Sequence, residues 1–264
     1  MTFADPTPGD ERELHEMNPR GRFSDRAEDY VRYRPDYPAA AIDHVLEGLG
    51  PPELLIAADV GAGTGISSRQ LADRGLEVIA VEPNEAMRAA AEPHPRVAWQ
   101  EGTAEATGVA STSVDLVVCA QAFHWLRQRE AIAEFHRILR PRGRLALVWN
   151  TRSRTDPLSR GYIEAIRAVN GEHPAETRTF EPTVVSADGW FMPAEVQRFD
   201  HCQTLDRAGL LGRAASASYV PKTGEPFERL VGMLGALHEK HRDAHGLVTL
   251  RYVTEVWRAQ RVQR

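Results

Sequence analysis

Short aliphatic runs alternate with helix-like stretches through residues 54–149, and this alternation excludes most architectures open to a chain of 264 residues. Strands are expected at 54–60, 77–81, 96–101, 115–120 and 144–149. Helices are expected between them at about 66–74, 84–92 and 129–140, stopped by Gly75 and by Pro141-Arg142-Gly143. The strand runs are β-branched or aliphatic without polar alternation, the pattern of strands buried on both faces. A doubly wound parallel sheet follows.

The flanking segments are less regular. Phe23, Ala27, Tyr30, Val31 and Arg34 are spaced as in a short helix that stops at Pro35 and Pro38, and a helix over 39–49 ends at Gly50-Pro51-Pro52. Beyond Asn150, amphipathic stretches at 157–170, 207–216 and 226–245 surround a strand-like Val196–Leu205, and Val248–Trp257 reads as a closing strand. Residues 1–22, rich in Pro, Gly and charge, read as a flexible arm. The expected organisation is that arm, then 23–150 as lid and ligand-binding core, then 151–264 as cap helices and closing strands of the same domain.

Hydrophobic residues at 42% and charged residues at 26% exclude a disordered or fibrous chain. No apolar run approaches the ~18 residues of a membrane span, and Asp5, Asp10, Glu11 and Glu13 are unlike a secretory signal. A cytoplasmic protein with no membrane partner is expected. Two cysteines, Cys119 and Cys202, cannot build a disulfide framework or a four-thiolate metal site. A net charge of −5 argues against a nucleic-acid partner and for a small-molecule one. The arginines at 20, 22, 26, 32 and 34 are offset by Asp25, Glu28, Asp29 and Asp36, so this segment reads as a lid rather than an RNA-binding patch.

Asp59-Val-Gly61-Ala-Gly63-Thr-Gly65 stands where the first strand hands over to the first helix, the place where α/β sheets present main-chain N–H groups to a ligand. Glycines there let a ligand approach the backbone. By itself the stretch also reads as a plain tight turn. It departs from a dinucleotide fingerprint because the third glycine falls one residue early and position 66 is Ile. Glu82, directly after the second strand, adds a carboxylate suited to accept two ribose hydroxyls.

Residues 56–92, IAADVGAGTGISSRQLADRGLEVIAVEPNEAMRAAAE, resemble the first two motifs of class I S-adenosylmethionine-dependent methyltransferases, in the small-molecule branch that includes ubiquinone-biosynthesis and trans-aconitate methyltransferases. The resemblance continues through Glu101–Glu105, Asp115–Trp125 and Leu139–Leu147, and Tyr30–Pro38 is similar to the trans-aconitate branch. It covers about residues 23–150 well and the remainder loosely. It implies a Rossmann-like seven-stranded sheet, mostly parallel with one antiparallel edge strand, carrying a helical cap. It also implies S-adenosyl-L-methionine as cofactor, with Gly61, Gly63 and Gly65 around the methionine moiety and Glu82 on the ribose. Met87 would lie beside the adenine, Thr103 and Ala104 at its edge, and Gln121 near the sulfonium. Asp59, Ala62, Thr64, Pro83, Glu105 and Ala122 are expected alongside these. Many relatives carry Asp where Thr103 stands, which leaves the adenine amino group to the backbone or the Thr hydroxyl. Tyr30 and Arg34 are expected at the methionine end, Arg34 as a fork for its carboxylate.

Enzymes that methylate base amines resemble one another in an Asn/Asp-Pro-Pro-aromatic turn after the fourth strand. This chain has Ala120-Gln121-Ala122-Phe123-His124-Trp125, so a small-molecule methyl acceptor is expected instead. His124, with an ordinary pKa of ~6.5, reads either as a general base for a hydroxyl or amine acceptor or as a wall residue. Trp125, Trp149 and Asn150 are candidate acceptor-binding residues, with plain core packing as the other reading of Trp149. His238, His241 and His245 recur at helical spacing but stand among charged residues, and no metal site is expected. Cys119 reads as a buried core thiol. Two other functions remain open at this point: a nicotinamide-dependent oxidoreductase, disfavoured by Ile66, and a binder of S-adenosylmethionine that does not methylate.

Overall fold

The computed structural model describes residues 14–16, 24–173 and 180–263. The expected arm at 1–22 lies outside the described residues except for a 3-10 turn at Leu14–Glu16, and Phe23 lies outside them as well. The seven strands are β1 (Ile56–Val60), β2 (Glu77–Val81), β3 (Val97–Gln100), β4 (Val114–Ala120), β5 (Leu139–Arg152), β6 (Glu195–Leu205) and β7 (Val248–Gln260), in the order β3-β2-β1-β4-β5-β7-β6. The described helices are α1 (Ala27–Tyr33), α2 (Ala39–Leu46), α3 (Ile66–Ala72), α4 (Glu85–Ala89), α5 (Gln128–Ile138), α6 (Pro157–Asn170), α7 (Thr183–Ser186), α8 (Arg207–Ala215) and α9 (Gly224–His241).

The chain forms two compact units. Of the described residues, the sheet unit comprises 36–151, 180–200 and 253–263, and the helical unit comprises 14–16, 24–35, 152–173 and 201–252. In the sheet unit β1 pairs in parallel with β2 and with β4, so that Asp59 lies between Ala80 and Val118. The strand order reverses between β1 and β4, which opens a crevice outside their carboxyl ends. Successive residues of a strand enter opposite apolar clusters. Ala58, Val117, Cys119 and Leu147 pack on one face with Phe123, Ile132 and Phe135. Ala57, Leu116, Val118 and Val148 pack on the other with Ile42, Val45 and Leu71. Two covered faces explain the unbroken apolar runs.

The antiparallel strand is β7, and it stands second from the edge, not at the edge where the resemblance implies it. Arg261 N donates to Gly143 O at 2.9 Å and Ser153 N to Arg251 O at 2.8 Å, so β5 and β7 run in opposite directions. The edge is β6, whose alternate residues, including Arg198 and Asp200, face outward; charge there discourages pairing with another chain. A second difference concerns α5, which ends at Ile138, two residues before the expected stop. Arg140 precedes Pro141 and is pushed out of the helical region, and Leu139 already pairs with Val114.

In the helical unit Leu158, Tyr162, Ile166, Leu210, Ala214, Leu230 and Leu234 form the core. Asp156 and Asp206 cap their helices by accepting from Ser159 N at 2.8 Å and Gly209 N at 2.6 Å. The segment 24–35, assigned by sequence position to a continuous 23–150 stretch, packs here with residues from the second half of the chain. Gly212 on α8 leaves the space that the Tyr33 ring fills. Arg26 Nη1 donates to the carbonyls of Ala215, Ala217 and Val220 at 2.8, 2.6 and 2.9 Å.

Candidate active site

At the carboxyl end of β1 the chain turns through Gly61, Gly63 and Gly65, all with positive φ. Gly61 N and Ala62 N donate to Val81 O at 2.9 and 3.1 Å, which fastens the turn to the end of β2. A Cβ on Gly61 would lie 2.6 Å from the Ala122 Cβ, so the turns after β1 and β4 approach as closely as backbone permits. Gly65, in the left-handed region, starts α3.

Glu82 sits beside this turn and is 8% exposed. Its Oε2 accepts Gly63 N and its Oε1 accepts Asn84 N, each at 2.9 Å. Burial raises its pKa, against the opposing pull of the Asn84 and Gly63 N–H groups and of Arg88. Arg88 Nη1 donates to Glu82 O at 2.6 Å. Asn84 caps α4 by accepting Met87 N at 3.2 Å, and Met87 is buried after Pro83. Asn84 braces the candidate site and was missed in the sequence, although its place before an acidic first turn is an N-cap signal.

Asp59 is fully buried; its Oδ2 accepts Ser67 and Ser68 hydroxyls at 2.7 and 2.6 Å, while Oδ1 has no partner among the described residues. Burial raises its pKa despite those two bonds. The Thr64 hydroxyl is buried too and likewise has no partner among the described residues. An unsatisfied carboxylate oxygen, an unsatisfied hydroxyl and a cradle that a single methyl would fill suit a polar ligand held against main chain.

Thr103 and Ala106 exchange N–H···O bonds of 3.1 Å in a tight turn, with Ala104 buried. Glu105 Oε1 accepts Arg127 N at 3.1 Å. Glu134 on α5 braces this region by accepting Thr107 N at 2.9 Å and Thr107 Oγ1 at 2.6 Å, while Arg137 Nε reaches its other oxygen at 2.6 Å. Neither Ser67 and Ser68 nor Glu134 carries a local sequence signal for these roles.

After β4, Gln121 takes a left-handed φ of 57°, its N–H donating to Val148 O at 2.9 Å and its side chain to Asn150 O at 3.2 Å. Ala122 follows, then the 3-10 turn Phe123–Trp125. Trp149 Nε1 donates to His124 Nδ1 at 3.5 Å, and the His124 and Trp125 rings lie 5.1 Å apart. Trp149 also packs against Phe180 at 4.8 Å. Asn150 is held on both sides: Thr254 Oγ1 donates to its Oδ1 at 2.6 Å, and its Nδ2 donates to Asp36 O at 2.8 Å.

The sheet unit thus contains every expected site residue except Tyr30 and Arg34. Those two belong to the helical unit, where Arg34 Cζ stands 4.7 Å over the Tyr30 ring and Arg34 Nη2 donates to Ser216 O at 3.0 Å. Cys119 is buried in the core, and its thiol pKa is raised well above the ordinary value by that burial. The histidine row does not form: α9 ends at His241, and His238 is buried with Nε2 2.9 Å from Gly246 O. Among the described residues no group of three or more metal-ligating side chains converges, and no helix is long and apolar enough to cross a membrane.

Residues 58–147 match the family described as "Methyltransferase domain". An uncharacterized methyltransferase-like protein of Schizosaccharomyces pombe is 36% identical over 160 residues, 60% of this chain and 61% of that one. An uncharacterized methyltransferase of Mycobacterium tuberculosis is 46% identical over 127 residues, 47% of this chain and 49% of that one. The chain therefore spans between about half and three fifths of the length of these relatives. The structure of a putative type II methyltransferase from Anaeromyxobacter dehalogenans superposes with a TM-score of 0.60 at 27% identity, covering 87% of this chain and 98% of that one.

Proposed function

Because the chain carries a class I S-adenosylmethionine-dependent methyltransferase domain, we propose that it transfers the sulfonium methyl group of that cofactor to an oxygen, nitrogen or carbon of a small molecule and releases S-adenosylhomocysteine. The observation that carries this reading is the glycine turn clasped by Glu82, with an open carboxylate oxygen on Asp59 behind it. Each Glu82 oxygen spends one lone pair on a main-chain N–H and keeps another for a ribose hydroxyl. Gly61, Ala62, Gly63, Thr64 and Gly65 are assigned to the methionine portion. Pro83, Met87, Thr103, Ala104 and Glu105 are assigned to the adenine, and Gln121 and Ala122 to the neighbourhood of the sulfur.

The bound cofactor supplies an electrophilic methyl group whose bonding pair stays on sulfur as the new bond forms. The protein's part is alignment of acceptor and methyl carbon, which supplies much of the acceleration in such a displacement. Trp125, Trp149 and Asn150 are assigned to the acceptor wall, Asn150 being fixed by Thr254 and the Asp36 carbonyl. His124 is assigned there too. Indole N–H only donates, so the His124 Nδ1 is the acceptor, and in the neutral ring Nε2 carries the proton. We read His124 as a wall residue rather than a general base.

Calorimetric titration with S-adenosylmethionine, followed by detection of S-adenosylhomocysteine in the presence of candidate acceptors, tests the proposal. Saturable binding and acceptor-dependent product are expected. Failure to bind S-adenosylmethionine would overturn the cofactor assignment, and binding without turnover across oxygen, nitrogen and carbon acceptors would overturn the activity.

A further inference from the structure

The helical unit buries cationic side chains that no described carboxylate answers. Arg213 on α8 is 4% exposed, Arg34 beyond α1 is half-buried, and neither makes an ion pair among the described residues. Ser216 ties the two together: its carbonyl accepts Arg34 Nη2 at 3.0 Å, and its hydroxyl lies 3.4 Å from Arg213 Nη1. The Nε of both arginines is buried without a partner among the described residues, and so is the phenol oxygen of fully buried Tyr162 on α6.

The groups acting most strongly on Arg34 are Arg213, Tyr30, Tyr219 and Arg152; those acting on Arg213 are Tyr252, Tyr162 and Arg152. Among the described residues none of these groups is an aspartate or glutamate. Burial, then the neighbouring Arg213, lower the Arg34 pKa. Burial opposes the charge of Arg213 as well, whereas the neighbouring hydroxyls of Tyr252, hydrogen-bonded to it, and Tyr162 favour it, and its pKa stands above the ordinary value. Burial pushes Tyr162 up to about 12, so its phenol keeps its proton and remains a donor. Arg26 in the same unit shows the contrasting, structural use of a guanidinium, since its Nη1 is satisfied by three carbonyls.

Neighbouring buried guanidinium groups repel one another and lose hydration, and an anion between them removes both penalties. A guanidinium fork matches carboxylate and phosphate oxygens equally well. We propose that Arg34, Arg213 and Tyr162 form a binding site for an oxyanion, the carboxylate or phosphate group of a small molecule other than the cofactor. The site stands on its own residues and does not depend on the methyl-transfer reading.

Thermal unfolding of the full chain tests it, with succinate or inorganic phosphate added against chloride at constant ionic strength, with and without S-adenosylmethionine. A saturable rise in Tm is expected with at least one oxyanion, and the larger response tells carboxylate from phosphate. Tyr162→Phe, which removes one oxygen and keeps the ring, and Arg213→Lys, which keeps the charge and loses the fork, should each weaken the apparent affinity at least tenfold. If Arg213→Lys does not fold, Tyr162→Phe alone decides. Absence of a saturable rise, or an equal rise in wild type and variants, would overturn the site. So would an oxyanion affinity that falls in proportion to added S-adenosylmethionine, since the guanidinium groups would then serve the cofactor's own carboxylate.

Discussion

The Glu82 carboxylate accepts the main-chain N–H of Gly63 at 2.9 Å across 19 residues of sequence, so the side chain assigned to the ribose also fixes the turn assigned to the methionine. Glu82→Ala removes both contributions. Charge-assisted hydrogen bonds are worth ~1.5–3 kcal/mol each when buried, and two lost to the ribose predict at least a tenfold fall in S-adenosylmethionine affinity. Calorimetry reads the affinity, and circular dichroism establishes that the variant is folded. An unchanged dissociation constant would remove Glu82 from the site.

The assignment of Glu82 to the ribose also predicts a cofactor affinity that is sensitive to acid. Only ionised Glu82 offers acceptors to both ribose hydroxyls, and burial places its pKa above the ordinary 4.5. As pH falls from neutral, affinity should begin to drop before an unshifted glutamate would protonate, by up to tenfold per pH unit below the shifted value. Glu82→Gln, which cannot titrate, should bind weakly with a flatter profile. Binding constants measured from pH 7 downward check this, with parallel profiles for wild type and variant as the contrary outcome.

Gly61→Ala tests the close approach of two turns. The substitution places a methyl 2.6 Å from the Ala122 Cβ at a φ of +72°, so it incurs both a clash and backbone strain. A loss of ~1–3 kcal/mol is expected, as for other strained or overpacked positions. Adding Ala122→Gly should recover the steric part and leave the backbone part, which denaturant unfolding of the single and double variants separates.

Much of this arrangement was legible in the sequence because it is local or periodic. Unbroken apolar runs marked the central strands, and the spacing from Gly61 to Glu82 marked two strand ends that the sheet brings together. What escaped is held by contacts without periodicity. Nothing near Asp59 shows that Ser67 and Ser68 will bond its Oδ2 after the chain has turned through three glycines. The place of β7 inside β6 rests on long-range pairing, and the packing of residues 24–35 in the helical unit rests on a glycine at 212 that looks like any other helix glycine.

Glu134 supports the turn at Thr103 without being assigned to ligand. Glu134→Ala strands the buried N–H and hydroxyl of Thr107 and frees Arg137, and should lower stability by ~2–4 kcal/mol at neutral pH. The bonds from Arg137 and Thr107 overcome burial and hold the Glu134 pKa below its ordinary value. A depressed carboxylate stabilises the fold above its unfolded pKa and loses that contribution as pH falls through the folded one. The gap between wild type and variant in urea unfolding should therefore narrow in strong acid. A constant gap would mean that the carboxylate's charge contributes nothing.

His124→Asn separates a base from a wall residue. The wild-type ring accepts the Trp149 indole N–H on Nδ1 at 3.5 Å, which leaves a protonated Nε2 in its neutral form. Removal of a general base lowers turnover by ~10²–10⁴ and abolishes the rising limb of the pH profile near the imidazole pKa. Loss of a positioning donor acts mainly on acceptor KM and leaves kcat and its pH dependence comparatively intact. Asn keeps a hydrogen-bonding group of similar reach while losing basicity near neutral pH, so it discriminates better than Ala. At saturating S-adenosylmethionine, the variant is expected to show a raised acceptor KM, kcat within about tenfold of wild type and the same pH profile. A variant that loses both turnover and the imidazole limb would reverse the assignment, because Nε2 would then have to be unprotonated and the Trp149 contact broken in the working enzyme.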